Sequence, residues 1–248
     1  MARMTIVIPM AGEGSRFRQE GYKQPKWSLP VDGRTSFEHA VLTFEALFQE
    51  EEFVFVCRKD TETSSFVRAR SQGLGIRTFR VVELEEPTSG QAETVYKAIA
   101  KRGLDDKSRL YIFNIDTFRL GWTPDDGRGA GGHLDTFLGD GESWSFVAGD
   151  PSRATATAEK VRISPFASTG LYEFGSISIY LDAYDTELAA RESRRIDGEL
   201  YVAPLYNHLI NEGLVVTFEV APAECVVPCG VPREYERLLS TNWKRPQG

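Results

Sequence analysis

Four groups of residues stand out for their types and spacing, and the first of them could handle phosphate. The first is the turn Ala11-Gly12-Glu13-Gly14-Ser15-Arg16, set directly after the apolar run Ile6-Val7-Ile8. Gly12 and Gly14 permit close approaches that a β-carbon forbids, so the amides of such a turn can hold anionic oxygens. Arg16, and Lys26 after Pro25, would add formal charge beside them. A plain glycine turn after a strand accounts for the two glycines equally well. The dinucleotide-binding fingerprint needs a third glycine where Phe17 stands, and the phosphate-loop NTPase pattern needs Gly-Lys-Ser/Thr, so neither applies.

The second group closes the apolar run Leu110-Tyr111-Ile112-Phe113-Asn114-Ile115-Asp116-Thr117. An acid at the carboxyl end of a central strand faces the crevice where the first turn lies, and a carboxylate is costly there unless it meets a cation. Asp116 is therefore the candidate metal ligand, the alternative being a carboxylate that caps the next turn. The third group, Thr88-Ser89-Gly90-Gln91, opens a helix running through Ala100. Its free amides and the Gln91 side chain can read the edge of a base, although Ser89 as a helix cap explains the same residues. The fourth is Glu159-Lys160, which alone reads as a surface pair, followed by Ser168-Thr169-Gly170-Leu171-Tyr172.

The elements that must position these groups alternate. After the first strand, Ser36 to Phe48 carries Phe37, Val41, Phe44 and Phe48 on one face of an amphipathic helix, with Thr35 or Ser36 as its cap. Phe53 to Cys57 is a buried strand, Thr63 to Gln72 a helix ending at Gly73, and Ile76 to Val82 a third strand. This alternation predicts a Rossmann-like, mostly parallel sheet sandwiched by helices, whose ligands bind at the carboxyl ends of the strands. Gly121 to Gly132, with Pro124, Asp125, Asp126 and five glycines, is expected to be a mobile loop. Trp144 to Ala148 resumes the sheet, and Val161-Arg162-Ile163 reads as strand-like. A helix with Leu205, Leu209 and Ile210 on one face ends at Gly213, and Leu214 to Val220 and Glu224 to Val227 are late strands. Residues 243–248 read as a loosely held tail.

Composition narrows the function. A formal net charge of −7 argues against general affinity for nucleic acid, and 41% apolar residues with no membrane-length apolar run describe an ordinary globular domain. Cys57, Cys225 and Cys229 match no zinc spacing and read as small buried hydrophobes. Met1 to Met4 lead straight into a strand without a signal peptide's apolar core, so a cytoplasmic enzyme is expected.

Gly12-x-Gly14-Ser15-Arg16, then Pro25-Lys26 and Leu29-Pro30-Val31, resembles the signature of the sugar-phosphate nucleotidyltransferases, the pyrophosphorylases of nucleoside diphosphate sugars. The resemblance runs from Ile6 to about Leu238. It includes Gly90-Gln91, Asp116, Glu159-Lys160 before Gly170-Leu171-Tyr172, Gly198-Glu199-Leu200-Tyr201, and Gly230-Val231-Pro232 before the last helix. It implies one catalytic domain of the nucleotide-diphospho-sugar transferase fold, joining a nucleoside triphosphate to a small phosphorylated acceptor and releasing pyrophosphate. It further implies that Ala11, Gly12, Gly14, Ser15, Gly90 and Gln91 bind the nucleotide and that Arg16 neutralises the departing pyrophosphate. By the same resemblance Lys26 sits near the α-phosphate, Asp116 holds Mg2+, and Lys160, Glu159, Gly170, Glu199 and Tyr201 receive the acceptor.

Three departures separate the chain from the pattern. Pro228-Cys229 stands where many members carry a second metal-binding aspartate, leaving a single carboxylate or a substitute from elsewhere. Tyr201 and Pro204 stand where hexose-using members bind sugar hydroxyls with acids, and Trp27 replaces a second proline after Pro25-Lys26. The variant looks like the capsule and surface-polysaccharide branch, some of whose members use non-sugar phosphates. Two rival readings are a nucleotide-sugar-dependent glycosyltransferase, with Asn114-Ile115-Asp116 as its Asp-x-Asp motif, and a non-catalytic nucleotide-binding module. The Arg16 and Lys26 pair speaks for a triphosphate donor.

Overall fold

A computed structural model of the chain describes residues 3–12, 14–100, 106–125, 129–194 and 198–246, so that Met1, Glu13 and Asp126 among the residues named above lie outside it. Strand β1 (Met4–Pro9) is buried through Ile8. Helix α1 (Ser15–Gln19) follows the glycine turn, and β2 (Pro30–Val31) and β3 (Arg34–Thr35) form a short ribbon after Lys26. Thr35 then closes a capping box with Glu38 to start α2 (Ser36–Val41). The helix expected to run to Phe48 tightens instead into a 3-10 turn over Leu42–Leu47, kinked at Phe44. There the Phe44 ring packs among Phe53, Phe113 and Trp122.

Strands β4 (Glu52–Arg58) and β5 (Thr78–Leu84), helices α3 (Thr61–Gly73) and α4 (Gln91–Ala100), and β6 (Arg109–Phe113) complete the alternating half. β1 lies between β4 and β6, parallel to both, with β5 parallel outside β4. Side chains alternate across these strands, which separates two cores. Ile6, Ile8, Phe53, Phe55, Tyr111 and Phe113 face an aromatic layer with α2, while Val7, Val54, Val56, Leu110 and Ile112 face an opposite layer with α4.

The second half adds β7 (Thr117–Arg119), β8 (Gly132–Leu138), β9 (Ser145–Asp150), β10 (Arg153–Glu159), β11 (Phe166–Phe174), the long helix α5 (Ile177–Arg194), α6 (Tyr206–Asn211), β12 (Val216–Ala221), β13 (Val226–Pro228) and α7 (Pro232–Ser240). β11 runs antiparallel to β6 and carries the sheet onward to β9 and β10, while β8 and β12 branch from it as a parallel pair. The result is a mixed, mostly parallel central sheet flanked by helices. A buried ion pair ties the branch to the rest. Arg119 Nε donates to both oxygens of Asp135, at 2.9 and 3.1 Å, and the Thr169 hydroxyl donates to Asp135 Oδ2 at 2.6 Å. The outer strand β10 is covered by α6, because the Asn207 side chain bonds the Thr157 amide and carbonyl at 2.8 and 2.9 Å.

Several expectations are corrected. Val161 to Ile163 is the turn between β10 and β11, not a strand, and Val161 and Ile163 are 60% and 40% exposed. Of the glycine-rich stretch, residues 121–125 and 129–131 form no regular element, whereas Gly132 opens β8 and Gly131 is seated by its amide bond to the Val215 carbonyl at 2.9 Å. The tail is anchored as far as Arg245. Trp243 packs on His39 and Phe118, Lys244 pairs with Asp32 at 2.6 Å, and Arg245 donates to Asp32 and to the His39 carbonyl at 3.1 and 3.0 Å. Among the described residues no helix is long and apolar enough to cross a membrane.

Candidate active site

Two adjoining cavities open at the carboxyl ends of the parallel strands. The larger, about 760 Å³, is lined by Ala11, Gly12, Gly14, Lys26, Gly90, Gln91 and Glu199. The smaller, about 430 Å³, is lined by Arg16, Trp144, Glu159, Gly170, Tyr172 and Glu234. Asn114 and Asp116 line both and so mark the junction.

The floor of the larger cavity follows from β1. The Met10 amide still bonds the Val56 carbonyl, at 2.8 Å, after which the chain leaves the sheet and Gly14 takes the left-handed conformation, φ 61°. Lys26 heads a 3-10 turn and its carbonyl is held by the Ser36 hydroxyl at 2.5 Å. Its ammonium reaches Asp116 Oδ2 at 2.5 Å. Asp116 is fixed from below, since its carbonyl accepts the Cys229 amide at 2.8 Å and β7 pairs with β13 from Thr117 onward. Gly230 packs against the carboxylate so closely that a β-carbon there would stand 3.0 Å from Oδ2. Burial pushes the Asp116 carboxyl up, but the Lys26 ammonium and its hydrogen bond, with Arg16 further out, outweigh this and hold it below the ordinary range.

At the nucleotide turn, Leu200 interleaves with the start of α4. Its amide donates to the Ser89 carbonyl at 2.8 Å, and its carbonyl accepts the Ala92 amide at 3.0 Å. Ser89 does not accept from the helix amides; its hydroxyl and amide both donate to Glu93, at 2.6 and 2.5 Å. The Gln91 amide nitrogen donates to the Asn114 side-chain oxygen. Of Asn114-Ile115-Asp116, therefore, Asp116 alone presents a carboxylate.

In the smaller cavity Glu159 accepts from the Ser145 hydroxyl, which also meets the Tyr172 hydroxyl at 3.2 Å. Burial pushes the Glu159 carboxyl up, against the pull of Ser145 and Lys160. Lys160 and Tyr201 stand off both cavities. Lys160 has a left-handed backbone, φ 55°, and its ammonium donates to the Tyr201 hydroxyl and lies 4.5 Å from that ring's centroid. Tyr201 in turn donates to Glu199 at 2.5 Å. Ser15 also lies outside both linings, and Arg16 faces the smaller cavity rather than the larger.

The sequence reading missed Asn114 as a shared lining residue, the Trp144 and Tyr172 walls, and Glu234. Glu234 is the N3 residue of α7, and its Oε2 accepts the amides of Gly230 and Val231 at 2.7 and 3.1 Å. Burial first and then Asp116 push its carboxyl up, although the two amides pull the other way. A carboxylate at the third position of a Pro-headed helix was the available signal. Among the described residues no group of three or more His, Cys, Asp or Glu is arranged around a cation site. Magnesium commonly takes one or two carboxylates with phosphate oxygens and water, and the cradle at Asp116, bare of a β-carbon on the Gly230 side, fits that demand.

Fold and cavities together define a nucleotide-handling α/β domain. Residues 6–121 match the model of the MobA-like NTP transferase domain. The structure of a nucleoside-diphosphate-sugar pyrophosphorylase from Vibrio cholerae RC9 is 43% identical, with a TM-score of 0.88 over 95% of this chain and 99% of that one. The chain belongs to this family of nucleotidyltransferases. Two more distant structures share the fold. The inositol-1-phosphate CTP transferase from T. maritima is 16% identical, with a TM-score of 0.72 over 98% of this chain and 97% of that one. A UDP-glucose pyrophosphorylase from Acinetobacter baumanii is 14% identical, with a TM-score of 0.67 over 96% and 92%. No curated protein matches the sequence.

Proposed function

We propose that this enzyme transfers a nucleotidyl group from a nucleoside triphosphate to a sugar 1-phosphate or a compact non-sugar phosphate, releasing pyrophosphate. The observation that carries the reading is the junction at Asp116, where a cavity lined by a glycine turn and Lys26 adjoins a second one lined by Arg16. An oxygen of the acceptor phosphate bonds to the α-phosphorus while the bond from that phosphorus to the bridging oxygen breaks, and the electron pair leaves with pyrophosphate. The acceptor is already an anion, so no side-chain nucleophile is required; alignment and charge stabilisation do the chemistry.

Lys26 leaves Asp116 to meet the α-phosphate, the amides around Gly12 and Gly14 hold the triphosphate, and Gln91 with the Gly90 turn faces the base. Arg16 offsets the repulsion between the two anions where the cavities meet. Asp116 would hold Mg2+, with Glu234 on the same cavity replacing the acid absent at Pro228-Cys229. Magnesium, when bound, supplies a hard cation that shields phosphate oxygens. Glu159, Trp144 and Tyr172 favour an acceptor that offers hydroxyl or amino groups to a carboxylate between aromatic walls. Lys160 reaches that acceptor's phosphate only after leaving Tyr201. The product is an activated precursor for surface or capsular polysaccharide, made in the cytoplasm where nucleoside triphosphates are held.

Pyrophosphate release with ATP, CTP, GTP, UTP and dTTP, each with and without magnesium, against sugar 1-phosphates, phosphocholine and phosphorylated amino acids tests this. Magnesium-dependent release with at least one pair is expected. Release with none of them overturns it.

A further inference from the structure

Arg191 sits on α5, which contributes no residue to the lining of either cavity. Its guanidinium nevertheless grips the segment that joins the two sides of the site. Nη1 donates to the Gly198 carbonyl at 3.1 Å and Nη2 to the Glu199 carbonyl at 3.0 Å. Nε donates to Glu187 Oε1 at 2.8 Å, and the second oxygen of Glu187 meets His208 Nε2 at 2.8 Å. All three side chains are mostly covered, at 16%, 18% and 19% exposure for Arg191, Glu187 and His208. Each nitrogen of the fork thus has its own acceptor, in a geometry that a planar guanidinium meets and a lysine ammonium does not.

The gripped residues matter for where they lead. Leu200 is bonded on both sides to the nucleotide turn, through Ser89 and Ala92. The fit is tight, because a β-carbon on Gly90 would stand 2.6 Å from the Leu200 nitrogen. Glu199 lines the larger cavity, and Tyr201 connects it to Lys160 on the acceptor side. Without such an anchor the segment from Gly198 to Tyr201 would have to be ordered each time substrate bound, at a cost in affinity.

We propose that Arg191 is a positioning residue for the nucleotide. By fixing the Gly198 and Glu199 carbonyls it holds Leu200 against the Gly90–Gln91 turn before the triphosphate arrives. This rests on the nucleotidyltransferase reading. The test measures calorimetric binding of the five triphosphates with magnesium, steady-state KM and kcat for the pair that releases pyrophosphate, and melting temperature, for wild type, Arg191→Met, Arg191→Lys and Glu187→Gln. Arg191→Met is expected to weaken triphosphate binding and raise its KM about tenfold with kcat changed about twofold or less, the signature of lost pre-organisation. Arg191→Lys is expected to recover part of the affinity, and Glu187→Gln, which keeps the two carbonyl bonds, to lose about threefold. Wild-type affinity in Arg191→Met, or a lower melting temperature with unchanged affinity, overturns the proposal alone. A wild-type protein that binds none of the five triphosphates overturns this proposal and the nucleotidyltransferase reading together. If Arg191→Met does not fold, wild-type affinity and KM in Glu187→Gln overturn the proposal.

Discussion

Lys26 and Asp116 form the pair on which the proposed chemistry turns, and each residue's behaviour follows from the other. Replacing Lys26 with Ala is expected to lower turnover about a hundredfold or more while leaving the fold intact, since a cation aimed at developing charge is removed. Circular dichroism and the pyrophosphate assay check the two halves of that statement. The pair also has a pH signature. The Asp116 carboxyl is held below its ordinary value of 3.8, so its stabilising contribution is present above that value and is lost as pH falls through the depressed folded value. The melting-temperature advantage of wild type over Lys26→Met should therefore be largest near neutral pH and shrink below about pH 4. A thermal-shift series from pH 3 to 7 reads this directly. Burial pushes the Cys57 thiol up to about 11 and, with Asp116 nearby, the Cys229 thiol up to about 12. Neither is a ready nucleophile at neutral pH, so mass spectrometry after brief iodoacetamide treatment should find the half-buried Cys225 alkylated first.

Among the elements, β7, β8 and β11 meet at a buried charged contact, since Arg119 and Asp135 are 6% and 1% exposed and Thr169 joins them from β11. Arg119→Met leaves Asp135 buried without its cation and should cost about 3–5 kcal/mol in urea unfolding. That contact also explains what could be read beforehand. β1, β4, β5, α3 and α4 announced themselves through local apolar runs and helical spacing. β8 did not, since Gly132-His133-Leu134-Asp135-Thr136 looks polar until Arg119, Thr169 and Thr217 supply partners from distant parts of the chain. β10, an alternation of alanine and threonine, and α5, with a sparse apolar stripe at Ile177, Tyr180, Ala183 and Tyr184, were hidden for a similar reason: their burial is set by neighbours rather than by their own composition. Gly90→Ala would press a methyl group into the Leu200 backbone, at a cost of about 1–3 kcal/mol, and hydrogen exchange at the Ala92 amide should quicken.

Over the whole molecule, the cavity-lining residues on the segments that follow the parallel strands were the legible ones. Gly12, Gly14, Lys26, Gln91 and Asp116 come together because parallel strands deliver their carboxyl ends to one edge. Where the Lys160 ammonium rests was not legible, because a left-handed backbone at Lys160 and the Tyr201 phenol within reach decide it. The anchored tail was equally hidden, being a matter of contacts more than 200 residues apart in the chain. Trp243→Ala should remove about 2 kcal/mol of stability in urea unfolding without altering triphosphate affinity. The same anchorage orders events during synthesis. The Asp32 turn and the His39 carbonyl, made early on the ribosome, receive Lys244 and Arg245 only after those residues have cleared the exit tunnel. The segment that carries Lys26 must therefore wait, incompletely braced, until Lys244 and Arg245 have been translated.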